Sequence, residues 1–168
     1  DVTISVTDVD EFDAAAPADS NNDANTVAEN AANGATVGLT ASTSDADGSN
    51  NAITYAITTQ SCSGAFAVDS SSGVVTATGS GLDYETATSC TVTISGTSAD
   101  GSGTTTQFTI AVTNVNEAPN VASAIADAST NEDSAYSLSV TSNFADVDGD
   151  TLTYSATGLP SSGNLAMS

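Results

Sequence analysis

Apolar residues in this chain alternate with Thr and Ser in short runs. The pattern passes through Val2-Ile4-Val6, Val37-Leu39-Ala41, Ile53-Tyr55-Ile57, Val92-Ile94, Phe108-Ile110-Val112, Tyr136-Leu138-Val140 and Leu152-Tyr154. Period two with β-branched and aromatic residues predicts strands buried on one face. No stretch carries a convincing helical period. Polar clusters such as Ala46-Asp47-Gly48-Ser49-Asn50-Asn51 and Ser70-Ser71-Ser72-Gly73 separate the strands, and their residue types are those of turns. Many short strands at this spacing predict an all-β chain of Greek-key β-sandwich architecture, with Tyr55, Phe66, Phe108 and Tyr154 as core aromatics. No apolar run approaches the roughly 18 residues that a membrane span needs.

The strand pattern is embedded in an acidic phrase written twice. Val27-Ala28-Glu29-Asn30, Asp45-Ala46-Asp47-Gly48 and Ile53-Thr54-Tyr55 return in order as Thr130-Asn131-Glu132-Asp133, Asp146-Val147-Asp148-Gly149 and Leu152-Thr153-Tyr154. A repeat distance near one hundred residues is that of a domain rather than of a solenoid turn. A second phrase, Asp1 to Glu11, returns as Phe108 to Glu117. Residues 1–13 therefore read as the last strand and exit linker of a preceding domain, 14–118 as a complete domain, and 119–168 as the N-terminal half of a second one. That half-domain is expected to be poorly buried alone, completed either by further sequence or by another chain.

Composition changes what the acids can do. Of 168 residues, 21 are Asp or Glu and none is Lys, Arg or His, so the formal charge is −21. No side-chain cation exists to pair with a carboxylate, and close-set acids repel one another unless a metal or salt neutralises them. Nucleic-acid binding is excluded on the same grounds, since contacts to phosphate need Lys or Arg; an anionic membrane surface is disfavoured, and no membrane insertion is expected. General acid–base catalysis loses its commonest groups, so the chain reads as no enzyme. Oxygen-only donors recurring at domain boundaries point to Ca2+.

Cys62 follows the strand from Ile53, and Cys90 opens the strand through Ile94. In a Greek key these strands are plausible antiparallel neighbours, which predicts a disulfide; two separate thiols are the alternative. Metal-type cysteine spacing and Cys-x-x-Cys are both absent.

The order Ala28-Glu29-Asn30, Asp45-Ala46-Asp47, Phe66-Ala67-Val68-Asp69 with Gly73-Val74-Val75, Leu82-Asp83-Tyr84-Glu85, Ala99-Asp100-Gly101 and Asn114-Val115-Asn116-Glu117-Ala118-Pro119 resembles the cadherin repeat. The flavour is that of the tandem cadherin-like domains of large bacterial surface adhesins of the repeats-in-toxin type. Glu132-Asp133 with Asn143 to Tyr154 is similar to the dystroglycan-type variant of the fold. The resemblance implies Ca2+ between successive domains. At the downstream junction the ligands would be Glu29, Asp83 and Glu85, with Asn114, Asn116 and Glu117 from the linker and Asp146 and Asp148 from the next domain. At the upstream junction Asp8, Asp10 and Glu11 would meet Asp45, Asp47 and Asp100. Asn114 and Glu117 depart from the family pattern, which prefers Asp at both places, so fewer or weaker ions are expected downstream. The run with Asp13 and Asp19-Ser20-Asn21-Asn22-Asp23 is either an extra ion site or a solvated loop.

Each acidic motif alone also reads as plain turn chemistry, with Asp bonding its own backbone and Gly at positive φ. The function implied is a rigid, calcium-binding extender segment of a secreted or surface-bound adhesin. Its partners would be neighbouring domains, copies of the same chain, or host and surface glycans reached through other domains. The alternatives are a subunit of an extracellular filament or matrix completed by strand addition, and a polysaccharide-binding accessory module of a secreted enzyme. An exposed aromatic row would favour the last, but only 5% of residues are aromatic.

Overall fold

A computed structural model describes residues 1–6, 11–47 and 51–157. The chain divides into two compact units, Asp1–Val115 and Asn116–Ser168.

Among its described residues the first unit contains eight strands: β1 (Ala18–Asp19), β2 (Thr26–Ala28), β3 (Thr36–Ser42), β4 (Ile53–Gln60), β5 (Phe66–Val68), β6 (Val74–Ala77), β7 (Ser89–Ser98) and β8 (Gly103–Thr113). One sheet has the order β1-β3-β6-β5 and the other β2-β8-β7-β4. Their pairing is antiparallel except for β2, which runs parallel to β8 with Ala28 opposite Thr113. The alternation in the sequence becomes the two faces of each sheet. In β3, Val37, Leu39 and Ala41 are buried; in β7 the buried positions alternate from Cys90 to Ser98. Val27, Tyr55, Phe66, Val75, Ile94, Ile110 and Val112 join Leu39 in one core drawn from both sheets. Each large aliphatic side chain buried there contributes about 1.5–3 kcal/mol. The predicted all-β sandwich is the observed fold.

The β5–β6 hairpin turns on Asp69. Its Oδ1 accepts hydrogen bonds from the N–H and hydroxyl groups of Ser71 (3.1 and 2.7 Å) and of Ser72 (2.8 and 2.9 Å). The turn closes at Gly73 (φ +73°), where a Cβ would run into the carbonyl of Ala41. The hydroxyl of Ser71, followed by the Ser72 groups, holds the Asp69 carboxyl far below its ordinary value of 3.8. A group depressed in this way contributes stability above its unfolded pKa, and that contribution is lost as pH falls from 3.8 toward the folded value. Asp69→Asn is therefore expected to flatten the acid limb of the stability–pH profile. Equal slopes for parent and variant in acid-unfolding curves would contradict this.

Three expected strands are absent among the described residues. Asp1–Val6 carries no regular pairing, and Val2, Ile4 and Val6 are 90, 82 and 91% exposed. A strand of this kind needs a sheet edge, and neither sheet of the first unit takes it up. The runs at Tyr136-Leu138-Val140 and Leu152-Tyr154 are likewise irregular. Among its described residues the second unit has one two-stranded ladder, β9 (Asn120–Val121) with β10 (Phe144–Ala145), and a 3-10 turn at Thr141–Asn143. Such a ladder offers no buried face against which further alternation could order itself. Phe144 and Tyr154 are half-buried against one another, with ring centroids 6.0 Å apart.

Candidate metal centres

Two groups of three carboxylates form among the described residues of the first unit. In each, one oxygen per residue lies within 4.8 Å of the others. Oxygens that share one Ca2+ at 2.3–2.6 Å lie no more than about 5 Å apart, so both groups are small enough for a common ion.

The first group is Glu29, Asp83 and Glu85. The parallel β2–β8 pairing carries Glu29 beside the exit of β8, where Glu29 N–H donates to the Thr113 carbonyl (3.2 Å). The Glu29 carboxylate then accepts from Val115 N–H through Oε1 and from Tyr84 N–H through Oε2, both at 2.7 Å. One side chain thus ties together the end of β2, the 82–85 corner and the residue after β8. In that corner Leu82 and Tyr84 pack against the core, which leaves the intervening Asp83 and the following Glu85 exposed. Asp83 is fixed by Thr86, whose N–H and hydroxyl donate to Oδ1 and Oδ2 (3.0 and 2.9 Å). Each carboxylate oxygen has two lone pairs, so these bonds leave acceptor capacity for a cation.

The second group is Asp45, Asp47 and Asp100. Asp100 sits in the β7–β8 turn, closed by Ser98 N–H to the Ser102 carbonyl (2.8 Å), with Ser102 N–H donating to Asp100 Oδ1 (2.6 Å). Asp47 is only 5% exposed. It receives the N–H groups of Glu11 (3.2 Å) and Phe12 (3.4 Å), while its own N–H donates to Asp45 Oδ1 (3.1 Å). The Ser98 hydroxyl, then the Asp47 N–H, hold the Asp45 carboxyl below its ordinary value. Among the described residues, Asp45 Oδ2 and Asp100 Oδ2 are buried with no hydrogen-bond partner. A buried acceptor without a donor is costly, and this chain has no cationic side chain to supply one. A divalent cation would satisfy both oxygens, and the chemistry of this donor set fits Ca2+. The two groups lie at opposite ends of β7, whose ten residues span about 33 Å.

The other expected ligands are placed as follows. Asp8 and Asp10 lie outside the described residues. Glu11 is exposed and meets the second group through its backbone. Asn114 is exposed just past β8. In the second unit, Asn116 Nδ2 donates to the Glu117 carbonyl (2.9 Å) and Glu117 N–H to Asp148 Oδ2 (2.7 Å). Asp146 closes a local turn, its carbonyl accepting from Gly149 N–H (3.2 Å) and Oδ1 from Asp150 N–H (3.3 Å). In the run at 19–23, Asp19 Oδ1 accepts from Asn21 and Thr40 N–H (3.0 and 3.2 Å) and Oδ2 from Asn25 Nδ2 (3.0 Å). No three-carboxylate group among the described residues includes it. Ser98 and Ser102, which set the second group, carried no signal in the sequence beyond their place beside Asp100.

Residues 24–113 match the cadherin domain family, more than half of the chain. The chain belongs to the cadherin family. Residues 116–168, where the sequence resembles a dystroglycan-type variant, match the bacterial Ig domain. Both matches accord with the resemblance to bacterial cadherin-like repeats. Among solved structures, extracellular cadherin domains 3–6 of protocadherin gamma B2 share 28% identity at a TM-score of 0.54, covering 69% of this chain and 28% of that one. Domains 1–5 of the same protocadherin share 26% at 0.52, covering 68% and 22%. Domains EC22–24 of mouse cadherin-23, at 23% and 0.53 over 69% of this chain and 37% of that one, share the fold. The chain thus spans well under half the length of these relatives. No curated protein matches it. Cadherin domains typically bind Ca2+, form tandem arrays and serve as extracellular adhesion or structural modules, generally without enzymatic activity. No helix among the described residues is long and apolar enough to cross a membrane.

Proposed function

We propose that this cadherin-family chain is an extender segment of an extracellular bacterial adhesin of the repeats-in-toxin type, stiffened by Ca2+ bound at both ends of its complete domain. Glu29, Asp83 and Glu85 would hold ions at one end, with Asn114 supplying a further ligand. Asp45, Asp47 and Asp100 would hold them at the other, with Asp8, Asp10 and Glu11. The observation that carries this reading is the pair of buried oxygens on Asp45 and Asp100 that find no partner among the described residues, in a sequence without Lys, Arg or His. Calcium supplies positive charge to facing carboxylates; the chain's own part is to hold those oxygens together by hydrogen bonds from Tyr84, Val115, Asp47 and Ser102. The partners are neighbouring domains or copies of the same chain, with glycans engaged by other domains. Tyr55 and Phe66 are buried, and the exposed rings Phe12 and Tyr136 belong to different units, which argues against the polysaccharide-binding alternative, since that needs a row of exposed rings. In small-angle scattering, millimolar Ca2+ is expected to lengthen and stiffen the particle where Mg2+ at equal ionic strength does not. Superimposable profiles with the two ions would refute the extender role.

A further inference from the structure

Cys62 and Cys90 are joined, with Cα atoms 5.6 Å apart and a sequence separation of 28. The bridge links the segment after β4 to the second residue of β7, alongside Ser61 N–H to Thr91 carbonyl and Thr91 N–H to Ser61 Oγ, both 2.9 Å. The segment it closes contains the 82–85 corner and therefore two of the three acids of the first group. It contains none of the second group, whose members are residues 45, 47 and 100.

The approach to the corner leans on the residues beside Cys62. Thr78 N–H donates to the Ala65 carbonyl (2.9 Å) and its hydroxyl to the Gly64 carbonyl (2.6 Å). A Cβ on Gly81 would stand 2.8 Å from the Ser63 carbonyl, so the two backbones nearly touch. Beyond the corner, the Thr88 carbonyl accepts from Val112 N–H (2.9 Å), and Cys90, fully buried, follows. The exposed corner is thus suspended between residues braced on 63–65 and the fixed start of β7, and the bridge ties these supports to each other. Without it, the corner is held to Glu29 through Tyr84 N–H and to the core through Leu82 and Tyr84.

We propose that the Cys62–Cys90 disulfide presets the cation affinity of the Glu29–Asp83–Glu85 group, so that reduction weakens this group and leaves the Asp45–Asp47–Asp100 group unchanged. The proposal rests on the calcium reading above. In the switching step, a dithiol reductant attacks as thiolate and the S–S bond breaks. Two electrons and two protons pass to Cys62 and Cys90, and the reductant closes to its own disulfide. The freed corner must then lose conformational entropy when it binds an ion, which the bridge had already removed.

The test is a calorimetric Ca2+ titration of the oxidised and dithiol-reduced chain, repeated in Asp45→Asn/Asp100→Asn, where the remaining heat reports the first group, and in Glu85→Gln, where it reports the second. Reduction is expected to weaken the first group on the order of tenfold, within the usual range for coupled sites, with no change in the second. Should reduction unfold the domain, Thr78→Ala carries the test with the bridge intact, and is expected to weaken the same group alone by about two- to threefold, as loss of one hydrogen bond allows. Equal affinities of the first group in both redox states, or in parent and Thr78→Ala, overturn the coupling while leaving calcium binding standing. No calcium heat from the oxidised parent overturns the calcium reading and the coupling with it.

Discussion

Removing the Cys62–Cys90 bridge with Cys62→Ser/Cys90→Ala is expected to lower the unfolding free energy by about 3–4 kcal/mol, the chain-entropy value for a closed segment of this length. For a unit of this size that corresponds to a fall in Tm of roughly 10–20 °C. The bridge acts on the unfolded chain, where it shortens the path between β4 and β7, and on the folded one, where Cys90 is fully buried among Val92, Ile94 and Ile110. These contributions have the same sign, since truncating the buried Cys90 side chain to a methyl group removes the sulfur and its contacts. Urea unfolding followed by tyrosine fluorescence reads the change. A loss below about 1 kcal/mol would mean that the β4–β7 ladder already confines this segment in the unfolded ensemble.

Asp45→Asn/Asp100→Asn is expected to change the sign of its effect with the ionic conditions. Without divalent cations, the variant unfolds at a higher temperature than the parent, because two buried oxygens without partners become amide groups that neither repel nor need a counterion. With Ca2+ in excess the order inverts. A saturated site at a calcium concentration a hundred times its dissociation constant adds about 2.7 kcal/mol to the parent, and the amides forfeit most of it. Thermal unfolding with chelator and with Ca2+ reads both arms. A variant less stable than the parent in both conditions would show that the carboxylates serve the fold through hydrogen bonds alone.

The two outcomes depend on features of unequal visibility in the sequence. The alternation of Val37, Leu39 and Ala41, or of Val92 and Ile94, could be read because a sheet with one buried face imposes period two directly on the chain. The neighbouring of β4 and β7 followed from the same periodicity with Greek-key order, which is why Cys62 and Cys90 could be paired. The alternation of Val2, Ile4 and Val6 is just as clean, yet these residues are exposed, because periodicity states what a strand could bury and not whether a sheet edge is present to receive it. The same holds for Tyr136 and Leu138, beside a ladder of two residues per strand. In the candidate metal centres the carboxylates were legible as motifs, whereas the groups that aim them were not. Nothing in the sequence marks Tyr84 or Val115 as the backbone donors to Glu29, or Ser98 as the residue that lowers Asp45, since backbone N–H groups are common to every residue and Ser is abundant throughout this chain. Asp19 shows the converse, an acid in an inviting run that spends its oxygens on Asn21, Thr40 and Asn25.

The most direct test of the account is the thermal unfolding of the oxidised chain in millimolar Ca2+ compared with Mg2+ at equal ionic strength. Calcium prefers many oxygen ligands in flexible arrangements, while magnesium demands a tight octahedron and retains its waters. Clustered carboxylates that bind Ca2+ specifically predict a Tm several degrees higher in calcium, rising further with its concentration. Identical curves in the two ions would show that the acids respond only to screening, and would remove the metal centres from the account.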